Sequence, residues 1–183
     1  MAIERREFIK TTGKAITAGA ATLALGGKIL GANDRVRVAV CGVRGRGNDH
    51  IHGFERVPQT ELAALCDVDE TVSNQRLDQI EKLGLPRPKS YVDVRKLLED
   101  KDIDAISIAT PNHWHALLTV WACMAGKDVY VEKPTCHNIW EGQQALAART
   151  KFNRIVQAGT QWRSMPAVQQ AIQWTAAGNI GKI

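Results

Sequence analysis

Residues 36–47 read Val36-Arg37-Val38-Ala39-Val40-Cys41-Gly42-Val43-Arg44-Gly45-Arg46-Gly47. An alternating apolar run breaks into glycines and then into a stretch able to be helical, which is the pattern of a strand feeding a phosphate-binding turn. Gly42 can take backbone conformations closed to residues with a Cβ. Gly47 lets the following helix pack closely on the strand, so that the helix N–H groups face an anion. The spacing departs from Gly-x-Gly-x-x-Gly, because Arg44 stands at the middle glycine and Gly45 comes one residue late. Its surroundings supply further weight. Leu62–Cys66 reads as a second strand ending in Asp67, about twenty residues past the turn, where an acid accepts hydrogen bonds from adenosine ribose hydroxyls. The expected ligand is a dinucleotide held by its pyrophosphate.

Outward from this turn, short apolar runs alternate with helical patterns, the signature of a parallel sheet covered on both faces. The periodicity predicts strands at 36–41, 61–66, 105–109, 128–131 and 154–158, with a short one near Ser90 and Tyr91. Helices are expected at about 47–57, 69–83, 93–100, 114–125, 139–151 and 166–177. The expected class is α/β, a doubly wound parallel sheet. In such a sheet ligands sit outside the carboxyl ends of the strands. The residues there are Gly42 to Gly47, Asp67, Thr110-Pro111-Asn112-His113-Trp114-His115, Glu132-Lys133-Pro134 and Gly159-Thr160-Gln161-Trp162-Arg163. All five clusters are expected on one rim.

The chain has 183 residues and a formal charge of +5, of which the first 32 residues supply +3 through five basic and two acidic side chains. The remainder carries only +2 and no basic run interleaved with aromatics, which argues against nucleic-acid binding. Residues 1–32 read as a separate object. Arg5-Arg6, Phe8 and Lys10 precede a mildly apolar stretch from Ala15 to Gly27 and resemble a twin-arginine export signal. That stretch is too short for a stable membrane span, which needs about 20 apolar residues. The expectation is passage through the twin-arginine translocase by way of Arg5 and Arg6 into the periplasm or beyond. Cleavage after Ala32 and retention as a membrane tether both remain open. Cys41, Cys66, Cys123 and Cys136 show no C-x-x-C spacing, and the first two read as small core residues. His50 and His52, two apart, fall on different helix faces, so no metal site is expected there.

Taken in order and spacing, the glycine turn, Cys66-Asp67, Thr110 to His115, Glu132-Lys133-Pro134 and Gly159-Thr160-Gln161 resemble the glucose-fructose oxidoreductase, inositol dehydrogenase and MocA family. The resemblance runs from about Val36 to the C-terminus. It implies a Rossmann domain over 34–160, with 161–183 as a linker helix and the start of a second, α+β domain whose open sheet floors the substrate site. Residues 1–183 are then expected to be the first part of a longer, homo-oligomeric protein.

The resemblance also implies roles. Lys133 lies beside the nicotinamide ribose and the reacting hydroxyl, where its ammonium polarises oxygen or assists proton transfer, and His115 is the second catalytic candidate. His113 is read equally as a cap of the helix that begins nearby. Gly42, Arg44, Gly45, Arg46, Gly47, Asp67, Thr110, Pro111, Asn112, Glu132 and Gln161 are expected around the cofactor, with Arg44 and Arg46 adding charge-assisted contacts to phosphate. Trp114, Trp121, Trp140 and Trp174 are expected to pack in the core or between domains. NAD is preferred over NADP, because Asp67 repels a 2′-phosphate. The implied activity is hydride transfer between nicotinamide and a hydroxyl carbon of a sugar, cyclitol or glycoside. Two alternatives stay open: a glycoside hydrolase using NAD for transient oxidation and elimination, against which Glu132-Lys133-Pro134 leans, and, for these residues alone, a non-catalytic dinucleotide-binding module.

Overall fold

A computed structural model describes residues 35–181. The leader expected at 1–32, with Arg5 and Arg6, lies outside the described residues. Six strands run β1 Val36–Cys41, β2 Thr60–Cys66, β3 Lys89–Tyr91, β4 Ala105–Ile108, β5 Asp128–Glu132 and β6 Val156–Gly159. They form one sheet in the order β3-β2-β1-β4-β5-β6, and every neighbouring pair is parallel. This is the Rossmann order, and the chain reverses direction across the sheet between β1 and β4. The helices are α1 Gly45–Phe54, α2 Glu70–Lys82, α3 Val94–Glu99, α4 His115–Met124, α5 Ile139–Lys151 and α6 Pro166–Ala176.

Alternation along the strands divides the core between the two faces of the sheet. Val40 and Leu65 pack with Val43, Ile51 of α1 and Leu77 and Ile80 of α2. Ala39, Cys41, Cys66 and Ile106 pack with Leu97 of α3, Leu118 and Ala122 of α4, and Ala148 of α5. Each fully buried aliphatic side chain contributes roughly 1.5–3 kcal/mol, so the sheet is anchored from both sides. The helices are punctuated locally. Asp69 caps α2 by accepting from the Thr71 and Val72 amides, a contribution of about 1 kcal/mol, and Gly84 ends that helix region in the left-handed conformation.

The expected elements form with shifted ends. β5 runs one residue further than the pattern predicts, which makes Glu132 the last residue of the strand instead of the first of the loop. β6 begins at Val156 and not 154. Arg154 is taken up in the turn, donating to the Gly126 and Phe152 carbonyls, and the Ile155 amide donates to Asp128 Oδ1. α1 begins two residues early, at Gly45, and residues 112–114 form a 3₁₀ turn ahead of α4. Among the described residues no helix is long and apolar enough to cross a membrane.

Candidate functional site

The turn after β1 passes close beneath the chain leaving β4. Gly42 has φ +81°, and a Cβ there would lie 2.8 Å from the Ala109 carbonyl and from the Thr110 nitrogen. Gly47 is tighter still, since its Cβ would stand 1.7 Å from the Gly42 oxygen. These two positions admit glycine alone. Gly45 differs, because a Cβ there would meet no protein atom within 4 Å. No side chain caps α1, which leaves its first turn of amides available to an anion.

Asp67 fixes this turn to the end of β2. Its Oδ2 accepts from the Val43 amide at 2.9 Å and its Oδ1 from the Asp69 amide at 3.0 Å. A carboxylate has about four lone-pair sites, so Asp67 keeps capacity for ribose hydroxyls. Asp67 and Gly42 open on a cleft of about 620 Å³ that Thr110, Pro111, Trp114 and Trp121 also line. Trp121 packs against the core as the sequence predicts, while Trp114 is exposed at the wall of the cleft. Trp140 and Trp174 are exposed.

Beside it, towards β5 and β6, lies a cavity of about 250 Å³ lined by Arg46, Thr110, Asn112, His115, Glu132, Lys133 and Gln161. Thr110 belongs to both. Its Oγ1 is buried without a hydrogen-bond partner, which fits a ligand group received where the two cavities meet. That orphaned hydroxyl, the glycine cradle at Gly42 and the uncapped α1 together match a dinucleotide laid along this edge.

Glu132 organises the smaller cavity. It is 4% exposed; Oε1 accepts from Arg46 Nε at 2.9 Å and from His50 Nε2 at 3.1 Å, and Oε2 accepts from the Lys133 amide at 3.1 Å. Burial pushes this carboxyl up, but the bonds from Arg46, His50 and Lys133 outweigh it and hold Glu132 below its ordinary value. His50 is driven the other way: burial lowers it despite Glu132. The neutral ring then donates from Nε2 to Glu132 and accepts at Nδ1 from Ser107 Oγ at 2.8 Å.

His50 and Ser107 escape the sequence reading. The available signals were the four-residue spacing of Arg46 and His50, which places both on one face of α1, and a serine inside the apolar run Ile106-Ser107-Ile108.

Both arginines of the turn are engaged by carboxylates. Arg44 pairs with Asp69. Arg46 is committed to Glu132 and to Asp49 Oδ2 at 3.0 Å, and the Gln161 amide, oriented with its oxygen towards Arg46, accepts from Nη2 at 3.1 Å. Arg46 thereby ties α1 to the ends of β5 and β6. The bonds observed for both guanidinium groups are to side chains of the protein itself.

His115 is 2% exposed, with Nδ1 2.6 Å from the Pro134 carbonyl and Nε2 2.8 Å from the Thr110 carbonyl. This second catalytic candidate sits between two backbone carbonyls, its ring bridging the loops after β4 and β5. No side chain caps α4, so His113 does not cap it; its ring lies against Trp114. Lys133 alone combines an exposed cationic side chain with a position lining the small cavity and no side-chain partner within the network.

Residues 36–160 match the family model for the oxidoreductase family with an NAD-binding Rossmann fold, GFO_IDH_MocA. The chain is 34% identical over 176 residues to a glycosyl hydrolase family 109 protein of Shewanella baltica and 33% identical to an alpha-N-acetylgalactosaminidase of Shewanella oneidensis. In each case the match covers 82% of this chain and 38% of the relative. Among solved structures, myo-inositol 2-dehydrogenase from Lactobacillus plantarum superposes with TM-score 0.72 at 26% identity, over 82% of this chain and 43% of that one. Scyllo-inositol dehydrogenase from Lactobacillus casei with bound NAD(H) and scyllo-inositol shares the fold, with TM-score 0.71 at 23% identity over 82% and 43%. The chain spans about two fifths of the length of these relatives. It belongs to the Gfo/Idh/MocA family of oxidoreductases.

Proposed function

We propose that the full-length protein is an NAD-dependent oxidoreductase acting on a hydroxyl-bearing carbon of a sugar, cyclitol or glycoside, with Lys133 as the catalytic residue. The observation that carries this reading is the exposed Lys133 side chain at the small cavity, on a backbone fixed by Glu132. A bound nicotinamide supplies the hydride acceptor. Lys133 stabilises the developing alkoxide and exchanges the hydroxyl proton. Asn112 and Thr110 orient the ligand, and Asp67 receives the ribose. His115 is a positioning residue, since it fixes the two loops that carry Thr110 and Pro134.

A second reading is favoured by the names of the curated relatives: a glycosidase in which oxidation is transient and is followed by elimination and return of the hydride. One experiment separates the two. Full-length protein is incubated with NAD and either free sugars and cyclitols or a chromogenic α-N-acetylgalactosaminide. Net NADH formation supports the dehydrogenase, chromophore release without net NADH supports the glycosidase, and failure to bind NAD ends both.

The proposal extends to export through Arg5 and Arg6 and to assembly of the full-length protein as a homo-oligomer. Retention of an Arg5→Lys/Arg6→Lys variant in the cytoplasm tests the first, and sedimentation of the full-length protein tests the second.

A further inference from the structure

Three guanidinium groups border the chain segments leaving β1, β2 and β3, and each is already held. Arg44 pairs with Asp69. Arg76 donates to the Val43 carbonyl at 3.0 Å and to Gln79 at 2.8 Å. Arg95 grips Asp93 with bonds of 3.1 and 2.6 Å to the same oxygen, Oδ2. Of these partnerships, the first is joined to the acid at the end of β2. The Val43 amide, next to Arg44, donates to Asp67 Oδ2, and the Asp69 amide donates to Asp67 Oδ1. Asp69 then closes the ring on Arg44. Its two oxygens divide the work: Oδ1 caps α2 through the Thr71 and Val72 amides, and Oδ2 holds Arg44.

We propose that the Arg44–Asp69 pair, acting with Asp67, sets the preference for NAD over NADP. Asp69 occupies a guanidinium that adjoins the ribose acid and would otherwise receive a 2′-phosphate. The effect is carried by Arg44: paired with Asp69 its guanidinium is neutralised and held, and without Asp69 it is free to meet a 2′-phosphate. Arginine is the group that accommodates a 2′-phosphate in dinucleotide folds. This inference rests on the proposal that the cleft binds a dinucleotide.

The test is calorimetric titration of the full-length protein with NAD and with NADP, which reads affinity independently of turnover. Asp69→Ser and Asp69→Asn both keep an oxygen for the α2 cap, and their thermal melts report folding. Either variant is expected to shift the NADP to NAD affinity ratio by about tenfold towards NADP, the size of a new charge-assisted bond. Adding Arg44→Ala is expected to abolish the gain. Arg44→Ala alone, which touches no cap, is expected to leave both affinities within about twofold. An unchanged ratio in the Asp69 variants, a gain that survives Arg44→Ala, or a loss of NADP affinity in Arg44→Ala alone overturns the inference while leaving NAD binding intact. Binding of neither dinucleotide by the unaltered protein removes the functional proposal and this one together.

Discussion

The larger cleft is walled mainly by glycine backbone and by apolar and aromatic side chains after β1 to β4 and on α4, beside Asp67, Asp93 and Arg95, whereas the smaller cavity is walled mainly by charged, amide and imidazole groups from α1, β5 and the segments after β4 and β6. In the cleft the contributions are direct backbone ones: Gly42 takes a positive φ against the Ala109–Thr110 backbone, and Asp67 bonds the Val43 amide of the turn. In the small cavity no group stands alone. Arg46, His50, Glu132 and Gln161 hold one another across 115 residues of sequence, from Arg46 to Gln161, and leave Lys133 as the exposed cation. The difference teaches that one end of the site is specified by backbone shape and the other by a hydrogen-bond network. Steric substitutions should therefore strike the first, and charge or proton changes the second.

The sharpest way to break the comparison is Gly47→Ala. Its Cβ would meet backbone at 1.7 Å, so a loss of at least about 3 kcal/mol in urea denaturation is expected, with dinucleotide binding lost as well. A merely tolerated alanine would show that backbone shape does not define the cleft. On the other side, Lys133→Met in the full-length protein should lower turnover by about 10²–10⁴-fold while the dinucleotide Kd moves less than about threefold. A parallel loss of affinity would assign Lys133 to binding and merge the roles of the two regions.

His115→Phe tests the clamp between them. It removes the ring N–H donated between the Pro134 and Thr110 carbonyls and should cost about 1–3 kcal/mol of stability, read from the denaturation midpoint.

Acidification addresses the network alone. The folded state depresses His50, so its contribution is complete above the unfolded value of about 6.5 and is lost as pH falls through the folded value. Glu132, also depressed, loses its contribution below about 4.5 by the same sign. Stability should decline below pH ~6.5 with a slope of at most about 1.4 kcal/mol per pH unit for the single His50 proton. His50→Gln should flatten that first segment, and an unchanged pH profile would remove His50 from the account.

The smallest effect is expected at Gly45→Ala, where nothing lies within 4 Å and the backbone is helical. A change of up to about +1 kcal/mol in stability is expected. Loss of dinucleotide affinity with stability intact would show that the ligand itself approaches Gly45.

Much of this arrangement was legible before any coordinates. The alternation of Val38, Ala39, Val40 and Cys41 sets which side chains enter which face, and Gly42 and Gly47 announce their turn because only glycine satisfies the required conformation and contact. The rim residues Asp67, Thr110, Glu132, Lys133 and Gln161 were findable because parallel strands bring their carboxyl ends to one edge. Illegible were the partners. His50 was weighed against His52, two residues away, while its true partners are Ser107 and Glu132, 57 and 82 positions distant. The carboxylates that Arg44 and Arg46 meet were equally hidden, because a basic side chain on a turn carries no record of which acid will reach it.

The sequence alone determined the order of chemistry along the chain, the glycine turn after the first strand and the family to which these residues belong, since periodicity and turn conformation are properties of neighbours. Only the tertiary structure decided that Glu132 is the buried hub, that His115 clamps two loops and that Asp69 holds Arg44. Those are contacts between segments far apart in sequence, and their energies depend on distance and burial, which no linear pattern encodes.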